Sequence, residues 1–556
     1  MAGASQPQEY DFGRDCALNS LKTPLPSGYT HDTLCTGDII NWGYHNVGYT
    51  PSGPTASAMT WYVDDDGEAD FTRIQDAINT ASAGDIIIVR DGTYIENLLV
   101  LKRLTIKSEN GPDSTIVRAK DPSYPIFRVF QVDYVNISGF SIEGAYDRSG
   151  IALMYSANYC TLTNNIMIGN GIYICGDSPR DISDYTHEID TSNTVNGKPV
   201  YYWKDVEGGR IPEGAGQVIL VNCTNVIVEE QDLNNASVGI QIAFSSAITI
   251  RNNNCYSNNL FGILLRFSND NCISNNICSY NREGICLRAS TNNKLKDNIM
   301  IGNGVSIESD YEFGPISDYT HEIDTSNTVN GKPVYYWKDV EGGRIPEGAG
   351  QVILANCTNV IVEDQVLNNA TVGILIAHSS FITVKSNKCS SNRGRGGIYI
   401  FNSNKNYIFD NICSNNDNGI YTAGQESSIT HNNCSNNCYG GIVLKCSRNN
   451  KVSNNICSYN GYGIHLSQST NNHIYLNNFI NNGYNVYSEE STNLWNTPSK
   501  ITYKYDQRTY TNYLGNYWSD YTGVDADGDG IGYTYFSVDG DDDCYPLMEP
   551  FENYKG

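Results

Sequence analysis

Apolar side chains return along this chain in a fixed pattern. One signature is Gly-Ile followed by strict alternation, as in Gly239-Ile240-Gln241-Ile242, Gly262-Ile263-Leu264-Leu265, Gly284-Ile285-Cys286-Leu287, Gly373-Ile374-Leu375-Ile376, Gly397-Ile398-Tyr399-Ile400, Gly441-Ile442-Val443-Leu444 and Gly463-Ile464-His465-Leu466. The Ile and the residue two positions on share one face, as a strand requires. A second signature pairs a branched aliphatic residue with a Cys five residues later: Ile250 with Cys255, Ile273 with Cys278, Val384 with Cys389, Ile408 with Cys413, Ile429 with Cys434 and Val452 with Cys457. Other units place Met167, Leu233, Met300, Leu367 or Phe479 at the Cys position. A position that accepts Cys, Met, Leu or Phe asks for apolar volume, so these thiols read as packing and not as metal ligands or disulfides.

The units are about 22 residues long and are separated by Asn/Ser/Gly turns. One unit cannot bury its apolar side alone, whereas stacked units share a core. The expected fold is therefore all-β: a single-stranded right-handed parallel β-helix, with a short N-terminal capping helix and a β-rich C-terminal cap. Recurrent turn asparagines such as Asn253, Asn276 and Asn455 are expected to form hydrogen-bonded ladders along the stack.

Both solenoid ends need covers. The spacing of Ile74, Ala77, Ile78 and Ala81 predicts a cap helix over 71–81, followed by a strand from Asp85. Residues 61–484 read as the solenoid, and 485–556 as a Tyr- and Trp-rich C-terminal cap. The stretch 182–220 recurs at 316–354, 134 residues later, and breaks the rhythm. It is expected to bulge from the stack. Residues 1–60 fit neither solenoid nor cap. This extension is a candidate for self-association, and its Cys16 and Cys35 can pair in an oxidising compartment.

Composition narrows the partners. The formal net charge is −25, which disfavours nucleic acid and anionic lipid. No run of 18 apolar residues is present, so no transmembrane helix is expected. The first residues carry no basic-then-apolar leader, so either the protein is cytosolic or the chain starts after processing. Six Asn-X-Ser/Thr acceptors, at Asn136, Asn222, Asn235, Asn356, Asn369 and Asn433, fit surface exposure.

Candidate chemistry is sparse. Asp525, Asp527 and Asp529 alternate around Gly528 and Gly530, a pattern that gathers hard oxygens for Ca²⁺; Ile531 and Asp539 complete the expected ligand set. Its opening resembles an EF-hand loop, although Phe536 stands where that loop has Glu. Tyr202, Trp203, Tyr336 and Trp337 in the duplicated stretch are candidates for stacking on sugar rings, against the plainer reading that they pack the stretch onto the solenoid. His187 and His321 are open to a metal or acid–base role, but lone histidines are mostly structural. Asp64, Asp65 and Asp66 read as a solvated turn, and Arg393 and Arg395 sit in a Gly-rich turn without nearby acids in sequence.

The stretch from Val63 to Gly111 resembles the opening of the pectin-lyase-like superfamily. The NNICSNN and GIHLS units resemble the NosD-like repeats of carbohydrate-binding proteins and sugar hydrolases. TVNGKPVYYWKD and the LGNYWSDYTGVDADGDGIG ending are similar to large surface proteins of methanogenic archaea. The resemblance spans about residues 61 to 553. It implies a β-helix, an exported location and work on carbohydrate or the cell envelope. The expectation is an extracellular cell-surface structural or adhesion protein that binds a polysaccharide or envelope glycan and associates with itself. Two alternatives stand beside it: a polysaccharide lyase, hydrolase or epimerase with a groove on one face, and a NosD-like metal-handling accessory protein. The NTD, DD, GHG and RIK pattern of polygalacturonases is not found.

Overall fold

The computed structural model describes residues 58–176, 181–311, 313–538 and 541–555. The proposed pairing of Cys16 and Cys35, self-association through the N-terminal extension, and Asp539 all lie outside the described residues. The fold is all-β, a right-handed parallel solenoid of about 20 turns. Each turn contributes up to three short strands, and each strand pairs in parallel with its counterpart one turn away.

The two sequence signatures occupy the predicted interior positions. Ile250 stacks on Ile273, and Cys255 on Cys278 and then Met300. A longer column runs Leu367, Cys389, Cys413, Cys434, Cys457, Phe479. All of these are buried. Thirteen cysteines are free thiols, ten of them buried, which agrees with packing as their role.

The turn asparagines form buried ladders. In the longest, Nδ2 of Asn387, Asn411, Asn432, Asn455 and Asn477 each donates to Oδ1 of the next member, the last to Asn516, at 2.9–3.0 Å. The same Nδ2 groups also reach backbone carbonyls, for example Asn455 to Ile429 at 2.9 Å. Residues just before ladder members adopt left-handed backbone angles, such as Asn275 at φ 55° and Asn454 at φ 58°, which Asn tolerates at modest cost.

The cap helix is shorter than predicted, Ile74–Thr80, and buries Ile74, Ala77 and Ile78. Both ends are tied to the solenoid. Glu96 accepts from the Ile74 and Gln75 amides at 2.9 and 3.1 Å, and Lys102 Nζ donates to the Asn79 and Ala81 carbonyls at 2.7 and 2.8 Å. An acid at the N-terminus and a base at the C-terminus complement the helix dipole. At the other end, Trp518 stacks between Phe479 and Phe536, with centroids 4.6 and 4.3 Å away. Strands Tyr484–Glu489 and Thr492–Leu494 continue the ladder, so the solenoid extends past residue 484.

The duplicated stretch corrects one expectation. It does not bulge; it divides the solenoid into three stacks with three separate cores. Strand Thr194–Val195 turns through Asn196-Gly197 (φ 51° and 78°) and pairs antiparallel with Lys198–Lys204. That strand pairs in parallel with Gln217–Val221, which starts the second stack. The sheet is continuous through this reversal and has eleven strands. Its inner face changes on the way. Val200 and Tyr202 pack into the first core, while Tyr201 and Trp203 pack against the second. The second copy repeats the arrangement through Asn330-Gly331: Val334 and Tyr336 face the second core, and Tyr335 and Trp337 the third.

Each new stack also seals the open edge of the previous one. The Gln217 amide accepts from Ile172 N at 3.0 Å and donates to Ile172 O at 2.6 Å, as a neighbouring strand would. Gln351 does the same for Val305, at 2.9 and 2.6 Å. Unpaired backbone groups buried at these internal ends are thus satisfied by side-chain amides.

Candidate functional site

The densest cluster of ionisable groups lies on the outer face of the second stack, where the third stack meets it. Strand pairing places Arg266, Arg288 and Glu308 in one outward column, in register. All three are buried. Arg266 forms a two-pronged pair with Asp310 at 2.8 and 3.1 Å and donates to the Tyr185 hydroxyl at 2.8 Å and the Gly176 carbonyl at 3.1 Å, which belong to the first stack's end. Glu308 accepts from Arg288 Nε at 2.7 Å, Ser306 Oγ at 2.9 Å and Arg395 Nε at 2.8 Å. Arg395 comes from the third stack. A further tie links Arg282 to Asp417 at 3.3 Å.

Burial alone would raise the Glu308 acidity constant, but the guanidiniums of Arg288 and Arg395 override it and hold the carboxyl down to about 2. Glu283 lies beside it, and ligand atoms of Glu283, Cys286 and Glu308 fall within 4.8 Å of one another. Burial and then the Glu308 charge push Glu283 upward, and its Oε2 is buried without a hydrogen-bond partner. Two carboxyls with diverging acidities are the arrangement that separates an acid from a base in many sites. Here Glu308 spends its oxygens on two guanidiniums and a hydroxyl, which makes it a clamp between stacks. The turn with Arg395 looked isolated in sequence because its partner, Glu308, lies 87 residues away. The legible signal was charge, Arg266, Arg288 and Glu283, on strands that otherwise carry only apolar residues.

The Asp-rich loop forms as a tight turn. Asp525 Oδ1 accepts from the Gly528 and Asp529 amides at 2.8 and 3.2 Å, and its Oδ2 from Gly530 N at 2.8 Å. Gly528 and Gly530 take φ of 74° and 88°, which the turn requires. Carboxylate oxygens of Asp525, Asp527 and Asp529 lie within 4.8 Å of one another. Burial and then the Asp527 and Asp525 charges raise the acidity constant of Asp529. Hard oxygens converging under mutual repulsion fit a Ca²⁺ donor set. Ile531 N donates to Asp529 Oδ1 at 2.9 Å, and Ile531 bridges Leu547 beyond the turn.

Tyr202, Trp203, Tyr336 and Trp337 are half-buried along the two junction strands. The Tyr202 hydroxyl donates to Tyr185 O and accepts from His187 N at 3.1 Å, and Tyr336 repeats this with Tyr319 and His321. Trp203 and Trp337 lie over Gly209 and Gly343, where a Cβ would come within 3.3 and 3.2 Å of the rings. These contacts support packing at the junction as their role.

His187 and His321 are buried, with burial lowering them to about 3 and about 4. Nδ1 accepts a backbone amide, from Cys160 in one case and Asn293 in the other, both at 3.3 Å, and Nε2 lies 3.1 or 3.2 Å from the Asp184 or Asp318 carbonyl. Each is a neutral imidazole standing at the end of a turn ladder. His321 follows Asn271 and Asn293 as the next acceptor in that column.

Among the described residues no helix is long and apolar enough to cross a membrane. Residues 316–523 match the NosD family, described as periplasmic copper-binding protein, and residues 213–389 match the right handed beta helix region. A cell surface glycoprotein of Methanothermus fervidus is 43 % identical over 97 residues, 17 % of this chain and 15 % of that protein, so the chain spans a small part of its relative's length. Solved structures with some likeness include the mannuronan C-5 epimerase AlgE6 A-module of Azotobacter vinelandii, 13 % identical, covering 75 % of this chain and 91 % of that one at a TM-score of 0.19. The family 28 exopolygalacturonase of Yersinia enterocolitica is 11 % identical, covering 79 % and 78 % at a TM-score of 0.19. Superpositions at this level transfer neither a site nor an activity. The repeats, the interior columns and the two family matches agree: over residues 213–523 this chain is a NosD-like right-handed β-helix repeat protein.

Proposed function

We propose that the protein is a structural or adhesion element of the cell surface, in which the three joined stacks act as a stiff scaffold. The observation that carries this reading is the use made of the buried charges. Arg266, Arg288, Arg395, Asp310 and Glu308 are spent on joining stacks, and the thiol columns face the closed cores. A scaffold is served by such clamps, whereas a nucleophile or metal centre needs groups left open. The methanogen surface glycoprotein supports the location. The reading includes Ca²⁺ held at Asp525, Asp527 and Asp529, where neutralising the cluster would brace the C-terminal cap.

Proteolytic shaving of intact producing cells tests the location. The expected result is release of solenoid peptides without lysis, and protection until lysis would defeat the reading. A panel of polysaccharides incubated with purified protein tests the rival, a polysaccharide-active enzyme with the Glu283 and Glu308 pair at its centre. New reducing ends or unsaturated products that disappear in Glu308→Gln would replace the scaffold by the enzyme.

A further inference from the structure

The outer wall of the first stack carries a strip that neither the junctions nor the Asp-rich loop use. Strand register stacks Thr105, Asn136, Thr161 and Glu188 in one column. Their neighbours Ile106, Ile137 and Leu162 fill the core, so this column faces outward. Two residues earlier on successive turns, Arg103, Tyr134 and Tyr159 form a second column. A groove of about 340 Å³ runs between the two and is lined by both.

The tyrosine column has the features of a platform. The Tyr134 and Tyr159 rings stack with centroids 5.2 Å apart and planes 16° from parallel, and they remain 53 % and 43 % exposed. Both sit in the left-handed region, at φ 58° and 53°. At the corresponding turn position elsewhere the chain places Asp270, Asn292 and Asn449, whose short polar side chains suit that backbone. A bulky ring there costs backbone energy, and rings this exposed recover little of it by packing. Arg103 is exposed at one end of the strip and forms no ion pair among the described residues. Asn136 Nδ2 donates to Thr105 Oγ1 at 3.3 Å, leaving its carbonyl oxygen and the Thr161 hydroxyl toward the groove.

We infer that this strip binds a linear glycan lying along the solenoid axis, with an acidic sugar against Arg103. The chemistry matches on three counts. Sugar C–H faces pack on tyrosine rings. Thr, Asn and Tyr side chains supply donors and acceptors for sugar hydroxyls. The turn spacing of ~4.8 Å repeats the same pair of side chains at about the interval of one sugar ring. The Arg103 guanidinium presents a fork suited to a carboxylate. The site stands on geometry alone and holds whether or not the protein is displayed on the cell surface.

The test is calorimetric titration of the full chain with alginate and polygalacturonate oligosaccharides, and with neutral xylo-oligosaccharides. Asn136 heads an Asn-Ile-Ser acceptor, so the protein is made in a bacterial host that adds no N-glycan there. Tyr134→Ala with Tyr159→Ala is expected to weaken binding by about ten-fold or more with an unchanged melting temperature, because both rings are exposed. Arg103→Gln is expected to weaken the acidic oligosaccharides and leave neutral ones unaffected. Absence of binding to every oligosaccharide, or equal binding by the double tyrosine variant, would overturn the site. Equal binding of acidic glycans by Arg103→Gln would overturn the choice of an acidic sugar.

Discussion

His321 shows how a single side chain ends a ladder. It offers Nδ1 where earlier turns offer an asparagine carbonyl, and its burial keeps the ring neutral down to about 4. An unfolded histidine takes up its proton near 6.5, so between those values the unfolded chain binds more protons than the folded one. Stability from His321 is therefore full above pH 6.5 and declines as pH falls toward 4, by roughly 1.4 kcal/mol per pH unit. His187 acts in the same direction over a window reaching about 3. His321→Asn restores an acceptor of the ladder type, so it is expected to fold and to flatten the acid slope in urea unfolding at pH 7 and pH 5. An unchanged slope would remove His321 from the linkage. Sequence presented these histidines as lone polar residues. What they bond could not be read there, because the amide each one accepts comes from the preceding turn, and its identity depends on where that stack stops.

At the scale of elements, the repeating strands and the cap helix were legible because packing position and periodicity coincide. The junction strands were less so. Lys198–Lys204 and Lys332–Lys338 each serve two cores, one per face, so their aromatics read as an exposed stripe when only one core is assumed. The overlooked signal was Asn-Gly, at Asn196-Gly197 and Asn330-Gly331, which favours a tight reversal between paired strands. The amide that seals each stack end is a sharper point of test. Gln351→Ala strips two bonds from Val305 and leaves a buried N–H and carbonyl unpaired, at about 1–3 kcal/mol for each group. Faster hydrogen exchange at the Val305 amide with little change in the third stack is the expected result; unchanged exchange would show that the edge is held by other contacts. In the C-terminal cap, chelator or Asp525→Asn is expected to lower the melting temperature of the hairpins near Tyr503 and Tyr510, whose hydroxyls bond carbonyls of the Asp-rich turn at 2.9 and 2.7 Å. Identical melting with and without chelator would remove Ca²⁺ from the cap.

The whole molecule behaves as three cores joined by polar clamps, and this sets how it should come apart. A solenoid with nearest-neighbour contacts unfolds in units whose coupling depends on their interfaces. Between the second and third stacks that coupling rests on Gln351, on apolar contacts such as Leu375 and Phe401 against the second core, and on Glu308 held by Arg288 and Arg395. Replacing a buried charge pair wholesale can be neutral, but removing one partner strands the others without compensation, at about 3–5 kcal/mol. Glu308→Gln leaves two buried guanidiniums facing one neutral amide. It is therefore expected to split the urea transition into separate steps for the stacks, read by Trp495 and Trp518 fluorescence for the third stack and by far-ultraviolet dichroism for the whole. Acid should do the same to the unaltered protein. Because the Glu308 acidity constant is depressed on folding, its stabilisation is present above the ordinary carboxyl value and is lost as pH falls toward 2. A single coincident transition for Glu308→Gln, superimposed on that of the unaltered chain, would mean that apolar contact alone couples the stacks and that the buried charges serve another purpose.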